Sequence, residues 1–311
     1  MRTPKPFDLA LTVESHGFYD LPPWHWDRGA RRLGRPLRLS AGRVVYAEVT
    51  EGPKGLVFRA LAEGGVGAPD SREAREAMAV CLDFSHDLSP FFARVEKLEA
   101  LRAEGEGRDL PDLRWALARG AGRLLRSPTV FEDAVKTLCT TNCTWAVTRG
   151  IVSRLCERLG EPAPEGSVTF PAPEAMASRD ERFYREEIRA GYRARYLVEL
   201  SRSAADGRLD LERLRRGPSG APGAEEAAAA IRELAGFGPY ATEHLLRLVG
   251  HHGHLALDSW NRAKLARLRG KRRLPSDRTL RRWYAPYGEW AGLAMWLEVT
   301  ADWHGDGPTL P

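Results

Sequence analysis

The sequence has few of the features that mark secreted, membrane or metal-rich proteins. No apolar run approaches the roughly 18 residues of a membrane-spanning helix. Residues 1–18 contain no apolar block of the kind found in secretory signals, so we expect a cytoplasmic protein. The four cysteines, Cys81, Cys139, Cys143 and Cys156, do not form the two matched pairs of a structural zinc site. We therefore predict reduced thiols and no bound metal.

Charge is unevenly distributed along the 311 residues. Lys and Arg total 47 against 42 for Asp and Glu, which gives a net charge of +5, and the basic residues are mostly arginine. Arginine is concentrated in residues 28–38, 179–195, 208–216 and 262–282. Such an excess suits a polyanionic partner, because basic side chains that neutralise phosphates release counterions. An arginine-rich solvated surface explains the composition equally well.

The pattern of apolar residues divides the chain into two parts. Residues 7–62 are predicted to be mainly β, because 7–13, 43–49 and 55–61 are rich in β-branched and aromatic residues and are separated by turns. Helical spacing begins near residue 70 and continues through 71–84 and 88–102. We predict an α+β fold with a small antiparallel β-rich N-terminal domain, 1–68, and a larger all-α domain, 69–311.

Residues 131–159 carry the clearest amphipathic pattern. Two apolar stripes at helical spacing are separated by TTNCTW, residues 140–145, which should end one helix and begin the next. Asn142 falls where the stripe would place an apolar side chain. It is interpreted either as a satisfied cap or as a side chain that faces a cleft.

The segment 227–250 predicts two helices joined by Gly236-Phe237-Gly238-Pro239. Two glycines around one apolar residue allow a sharp turn and a close approach to a partner. Pro239 suits the first turn of the second helix, and the free amides at that helix start form an anion site suited to a phosphate. Phe237 should insert between the helices. The alternative is a purely structural corner between two helices.

Asp258 lies twenty residues after Gly238, where an apolar segment ends and another helix begins. An aspartate at this place is an ordinary helix N-cap. A carboxylate at the end of an apolar approach is also poorly solvated, so its charge acts more strongly. The residue alone leaves both interpretations open.

The chain resembles the helix-hairpin-helix superfamily of DNA base-excision glycosylases, on the branch of 3-methyladenine and 8-oxoguanine DNA glycosylases. The resemblance spans the β-rich N-terminal part, residues 131–160, FPAPEAMA (170–177), the hairpin, Asp258 and the C-terminal segment 284–303. It implies a helix-hairpin-helix glycosylase domain that binds damaged duplex DNA, and Asp258 matches the family's catalytic aspartate. Such a carboxylate stabilises the cationic sugar that forms as the base departs and helps to position water.

Further site residues follow from the same resemblance. Asn142 matches an asparagine that fills the gap left by the flipped base. Tyr192 and Arg193 match a wedge tyrosine and an arginine that contacts the orphaned partner base. Core packing of Tyr192 and a surface charge at Arg193 are the alternatives. The predicted DNA-binding residues are therefore Asn142, Tyr192 and Arg193 together with Gly236, Phe237 and Gly238 of the hairpin.

One position departs from the 8-oxoguanine members, which have a lysine nucleophile where this chain has Tyr240. A phenol cannot form a Schiff base with the sugar, so strand cleavage by the usual lysine route should be absent. Alkylation-repair members have an aromatic residue there, which implies that Tyr240 lines the base pocket. We assign His244 and Trp145 to the same pocket; His244 could equally be an ordinary helix histidine.

The resemblance thus implies a monofunctional glycosylase of base excision repair that acts on an alkylated or oxidised purine. We expect no required cofactor. A monovalent cation at the hairpin backbone is the one candidate ion. The cysteine pattern lacks the iron–sulfur ligands of some relatives. We expect a monomer, nucleoid-associated, with no membrane partner. The alternatives are a non-catalytic protein that recognises lesions or DNA structure, and a lyase that uses another amine.

Overall fold

The computed structural model describes residues 1–107, 109–217 and 222–305. The strands are β1 (His25–Asp27), β2 (Arg32–Arg38), β3 (Val44–Gly52) and β4 (Gly55–Leu61). The helices are α1 (Leu9–Val13), α2 (Ala68–Cys81), α3 (Ser89–Ala103), α4 (Arg114–Arg119), α5 (Val130–Thr140), α6 (Trp145–Leu159), α7 (Pro173–Ala177), α8 (Glu181–Glu186), α9 (Ala194–Ala205), α10 (Ala224–Arg232), α11 (Pro239–Leu248), α12 (Ser259–Leu268), α13 (Asp277–Tyr284) and α14 (Ala291–Thr300). No helix in the described part of the chain is long and apolar enough to cross a membrane.

The four strands form one antiparallel sheet in the order β1-β2-β3-β4, with each strand paired to its neighbour in sequence. The inner face of the sheet buries Leu33, Val45 and Val49 against Ala74 and Met78 of α2. The sheet and the helices that follow it confirm the predicted α+β class.

One predicted strand is wrong. Residues 7–13 alternate like a strand, but Leu9–Val13 forms the short helix α1. Asp8 caps it, because its Oδ1 accepts a hydrogen bond from the Leu11 amide at 2.9 Å. Five residues are too few for the apolar pattern to distinguish a strand from a helix, and here the capping carboxylate favours the helix.

The helical part follows the sequence pattern closely around the candidate site. Helices α5 and α6 are separated by residues 141–144, as the TTNCTW segment predicts. Between residues 181 and 205 the chain forms two helices, α8 and α9, rather than one continuous helix. Arg189 and Gly191 both have φ near +59°, and this backbone conformation ends a right-handed helix. The interruption places Tyr192 and Arg193 on a tight turn.

Two helical cores adjoin one another beyond the sheet. The first contains α5, α6 and the hairpin helices α10 and α11, together with Phe18 from the N-terminal segment. The second contains α3, α4 and α12 to α14, together with Leu11. Segments from both cores meet around residues 240–260, where the chain passes from α11 to α12.

A buried ion cluster joins the sheet to α5. Arg35 of β2 donates to both carboxylate oxygens of Glu132, at 3.1 and 2.7 Å, and Lys136 donates to the same group at 2.6 Å. All three side chains are almost completely buried. Burial alone would raise the pKa of Glu132, but the charges of Arg35 and Lys136 hold it at about 2.

Glu132→Gln is therefore expected to lower the free energy of unfolding by about 3 to 5 kcal/mol, because two buried cations lose their counterion. The exposed ion-pair partner Glu181 offers a control, since Glu181→Gln should change stability by less than about 1 kcal/mol. Because the pKa of Glu132 is lowered on folding, its contribution is present above about pH 4.5 and is lost as the pH falls towards about 2. Urea denaturation at pH 7 and at pH 3 measures both effects, and equal losses for the two variants would contradict this account.

Candidate active site

A cavity of about 940 Å³ opens between the two helical cores. Its walls come from the N-terminal segment, the turn between α5 and α6, the helix α11, the start of α12 and the C-terminal helices. The lining includes Glu14, His16, Phe18, Tyr19, Arg28, Asn142, Trp145, Tyr240, His244, Leu257, Asp258, Trp260, Trp296 and Trp303. The structure thus brings Asn142, Trp145, Tyr240, His244 and Asp258, five of the predicted site residues, to one cavity.

Asp258 is both the N-cap of α12 and a cavity residue. Its Oδ1 accepts a hydrogen bond from the Asn261 amide at 2.7 Å, while Asn261 Oδ1 accepts from the Asp258 amide at 3.0 Å. Asn261 is buried and is itself held by the carbonyl of Ala256 at 2.5 Å. The carboxylate is therefore fixed through one oxygen, and within the described ranges no hydrogen bond engages Oδ2.

Glu243 lies beside the segment that precedes Asp258. Its carboxylate lies near the Leu257 backbone, close to the segment that leads into α12. Partial burial raises the pKa of Glu243, and nearby Arg281 acts in the opposite direction. The position of Asp258 is thus fixed by the capping box, and Glu243 adds a second negative charge beside the same segment.

Tyr240 and His244 form an aromatic wall on one face of α11. Their rings lie 24° apart with centroids separated by 5.9 Å. Burial, and next the negative charge of Asp258, raise the pKa of Tyr240 to about 12, so its hydroxyl stays protonated at neutral pH. Burial also holds the pKa of His244 well below its usual range, and its buried Nε2 has no hydrogen-bond partner in the part of the chain that the structure describes.

His16 closes the cavity behind His244. The two rings are arranged edge to face at 6.1 Å. His16 Nε2 lies 2.7 Å from the carbonyl of Leu125, and its Nδ1 accepts from the Phe18 amide, so the ring donates at one nitrogen and accepts at the other. Burial lowers the pKa of His16 to about 4. Both imidazoles are therefore neutral at physiological pH.

Trp145 forms the wall at the start of α6. Its indole Nε1 donates a hydrogen bond to Asp20 at 2.8 Å, which fixes the ring while leaving it 38% exposed. Trp260, Trp296 and Trp303 form a second aromatic group, with ring centroids 5.7 to 6.4 Å apart. The cavity therefore offers flat apolar surfaces on several sides of a space that also holds the carboxylates of Asp258 and of Glu14, which is paired with Arg28.

The predicted wedge residues lie at the rim and differ in exposure. Tyr192 is 45% exposed, and its hydroxyl donates to the Thr141 carbonyl at 3.2 Å. Asn142 is exposed in a left-handed conformation with φ +45°, and its amide lies 3.5 Å from the Tyr192 hydroxyl. Arg193 is only 5% exposed, and its guanidinium donates to Thr141 and Ala190 while stacking on the Tyr192 ring at 4.5 Å. The structure thus brings Asn142 and Tyr192 to the surface but not Arg193.

The hairpin lies at one end of the cavity, where α10 turns into α11. Phe237 is buried in the first helical core, as predicted. Gly236 has φ +88°, and a Cβ there would lie 2.6 Å from the Tyr196 ring. Gly238 caps α11 in an extended conformation with open space around it. The first turn of α11 therefore presents backbone amides to solvent beside the exposed Gly238 and Pro239.

Several cavity residues carry no clear signal in the sequence. His16 and Phe18 reach the cavity through the fold of the N-terminal segment, which was predicted as part of a β-rich domain. Trp296 and Trp303 lie in the C-terminal segment that resembles alkylation-repair members, so their contribution was detectable in principle. No group of three or more potential metal ligands occurs among the described residues.

No protein-family model and no curated protein sequence matches this chain. Solved structures are similar. The 3-methyladenine DNA glycosylase from Archaeoglobus fulgidus has a TM-score of 0.71 and 18% identity, over 96% of this chain and 97% of that one. MBOgg1 in complex with a low-affinity DNA ligand has a TM-score of 0.69 and 18% identity, over 96% and 93%. The 8-oxoguanine glycosylase/lyase from Clostridium acetobutylicum has a TM-score of 0.63 and 16% identity, over 92% and 93%. The chain has the fold of the helix-hairpin-helix glycosylases, which confirms the structural resemblance.

Proposed function

We propose that the protein is a DNA glycosylase that hydrolyses the N-glycosidic bond of a flipped-out modified purine in duplex DNA, as a step of base excision repair. One observation carries this proposal: the free oxygen of the Asp258 carboxylate and the aromatic walls at Trp145 and Tyr240 belong to one cavity. The similar solved structures are named as DNA glycosylases, and one contains duplex DNA with cytosine opposite 8-oxoguanine.

Asp258 would act on the sugar. As the bond between C1′ and the base nitrogen breaks, the electron pair leaves with the base and positive charge develops on the sugar. The Oδ2 of Asp258 stabilises this charge, while the capping box holds Oδ1 and prevents the carboxylate from turning away. Water then adds to C1′, and its proton is taken up by Asp258 or by solvent while the base is protonated.

The aromatic walls would hold the extruded base. A flipped base loses its stacking in the duplex, and flat side chains in a pocket restore part of it. Trp145 is held in place by Asp20, and Tyr240 by its stacking on His244. The neutral His244 also lines the cavity, and its buried Nε2 has no hydrogen-bond partner in the described part of the chain.

The hairpin and the rim would hold the duplex. The amides at the start of α11 suit a phosphate, and the same backbone is where a monovalent cation would bind. Tyr192 and Asn142 are exposed at the cavity mouth and are suited to fill the gap that the extruded base leaves. Arg193, which is buried, holds the Tyr192 turn against Thr141 and acts through Tyr192.

The proposed enzyme is monofunctional. No lysine lines the cavity within the described ranges, and Lys264, one turn after Trp260, is bound by both carboxylate oxygens of Asp302 at 2.6 to 2.7 Å. An amine that is held by both oxygens of a carboxylate is not available as a nucleophile. We also propose that the protein is a monomer and acts on DNA of the nucleoid in the cytoplasm.

The direct test uses duplexes that each carry one modified base. Purified protein is incubated with a panel of alkylated, deaminated and oxidised purines, and alkali then cleaves the strand at each abasic site. Base loss without strand cleavage before the alkali treatment is the expected result. Binding to lesions without base loss from any of them would instead favour a non-catalytic recognition protein. Borohydride trapping of a covalent adduct would show a lyase.

Substitutions at the two hairpin glycines should affect folding and DNA binding differently. Gly236→Ala should lower the free energy of unfolding by about 1 to 3 kcal/mol, because φ is positive and the new Cβ meets Tyr196. Gly238→Ala has open space and should change stability by less than about 1 kcal/mol, yet weaken DNA binding by moving a phosphate away from the amides. Thermal unfolding and DNA-binding titrations measure the pair. Unchanged DNA affinity of Gly238→Ala would contradict the phosphate site.

A further inference from the structure

A buried cation lies behind the cavity without a counterion. Arg247 is 2% exposed, and its Nε and Nη2 have no hydrogen-bond acceptor among the described residues. Within the described ranges no carboxylate forms an ion pair with it, whereas the buried Arg35 and Arg126 each have one. An unpaired buried charge is costly, so its presence calls for an explanation outside the folding of the chain.

The place of Arg247 connects it to the proposed base pocket. Tyr240, His244 and Arg247 are spaced i, i+4 and i+7 on α11, so all three lie on the face that borders the cavity. The guanidinium carbon stacks 4.8 Å from the centre of the Trp296 ring, and Trp296 lines the cavity. Arg247 is therefore separated from the cavity by the side chains that form its wall.

Arg247 is the main positive charge near the cavity. Burial lowers the pKa of Arg247 to about 10, so it remains protonated at neutral pH. His16 and His244 are neutral, and Arg28 is paired with Glu14 at 2.7 Å. The negative charges of Glu243 and Asp258 lie within electrostatic range of Arg247, although among the described residues neither forms an ion pair with it. The cavity thus has the Asp258 carboxylate in its lining and the Arg247 guanidinium behind its Trp296 wall.

Building on the proposed function, we propose that Arg247 makes the cavity selective for neutral modified bases that depart as anions and against purines that carry a positive charge from alkylation. When the C1′–N bond of a neutral base breaks, the electron pair moves onto the base. Asp258 then stabilises the cationic sugar, and Arg247 stabilises the negative charge on the base until a proton from water neutralises it. A cationic base becomes neutral as it leaves, so a fixed positive charge opposes its binding and gives its departure no help.

The aromatic walls alone would favour the opposite choice, because the faces of tryptophan and tyrosine attract cations. Trp296, however, already carries the Arg247 guanidinium on its ring. A cationic base stacked on that wall would be repelled by the Arg247 guanidinium, because the protein interior screens the repulsion weakly. The wall therefore stacks on neutral bases while rejecting charged ones.

The test compares single-turnover release of a neutral base, hypoxanthine or 8-oxoguanine, with that of cationic 7-methylguanine from matched duplexes. In Arg247→Met, release of the neutral base should fall about 10- to 100-fold, in the range of electrostatic contributions to catalysis, while release of 7-methylguanine stays the same or rises. Arg247→Lys should restore most of the preference. The exposed Arg213→Met is the matched control and should leave both rates unchanged.

Stability separates this role from a structural one. Because methionine removes an unpaired buried charge and keeps an apolar stem of similar length, Arg247→Met should have a higher Tm than the wild type. A structural arginine would give a lower Tm and an equal loss of rate on both substrates. Either of those results, or rates that do not change, would overturn the proposal.

A binding experiment keeps this inference distinct from the proposed function. Duplexes with 2′-fluoro sugars, which resist base loss, are titrated with wild type and with Arg247→Met. The wild type should bind the duplex with the neutral base several-fold more tightly than the one with 7-methylguanine, and the variant should lose this preference. If the variant loses this binding preference but no duplex in the release assay loses its base, the glycosylase activity is refuted and the charge selectivity stands. An unshifted preference would refute the selectivity even in an active enzyme.

Discussion

Asp258→Asn is expected to slow base release by about a hundred- to ten-thousand-fold, the range seen when a charged or proton-transferring group is removed from an active site. The reason is electrostatic, because an amide cannot stabilise the cationic sugar as a carboxylate does. Asparagine still accepts the Asn261 amide as an N-cap, so the variant should keep its fold, with a change in stability below about 0.5 kcal/mol. Single-turnover kinetics with excess protein measure the rate of release.

Asp258→Ala gives the control for the capping role. It removes both the charge and the cap, so it should lose about 1 kcal/mol of stability in addition to activity. DNA binding by Asp258→Asn should equal or exceed that of the wild type, because the substituted residue does not contact the hairpin. If Asp258→Asn releases bases at the wild-type rate while Asp258→Ala is destabilised, the aspartate is a helix cap and nothing more.

Tyr240→Lys is expected to convert the protein from one that forms no covalent adduct into one that borohydride traps on DNA. The position is half-buried beside Asp258 and borders the cavity. Burial there and the nearby positive charge of Arg247 should lower the pKa of the new amine, while the carboxylate of Asp258 acts in the opposite direction and is placed to accept the proton that the amine must lose before it attacks. Attack of this amine on C1′ would release the base and form a Schiff base with the opened sugar.

Tyr240→Met is the matched control, since it removes the same aromatic ring without supplying an amine. It should bind the flipped base more weakly and give no trapped adduct. The adduct is measured as a protein–DNA band after borohydride treatment and denaturing electrophoresis. Absence of the band for a folded Tyr240→Lys that binds DNA would place this side chain too far from the sugar, and would contradict the assigned orientation of the base.

The sequence predicted those parts of the site that local chemistry specifies. The hairpin glycines and Phe237 follow from the geometry of a tight turn between helices, and Asp258 from the end of an apolar segment that starts a helix. The structure shows that two interpretations of Asp258 apply together, because the same carboxylate caps α12 and borders the cavity. Capping is a local property that sequence can reveal, whereas access to a cavity depends on the packing of distant segments.

Other features required the fold. The capped helix α1 and the path of residues 14–19 bring His16 and Phe18 beside His244, and this contact spans more than 220 residues of sequence. Arg193 was expected to contact DNA, but its burial against Thr141 results from the turn at residues 189–191. Arg247 appears in the sequence as an ordinary helix arginine. Its significance emerges only from burial without a counterion.

The structure of Asp258→Asn bound to a duplex with one modified purine tests the central claim most directly. The account predicts that the modified base lies in the cavity bordered by Tyr240 and Trp145, with its C1′ within about 3 to 4 Å of the substituted side chain and a phosphate at the amides of Gly238 and Tyr240. A duplex bound elsewhere on the surface, or a base that remains stacked in the helix while the cavity is empty, would contradict it.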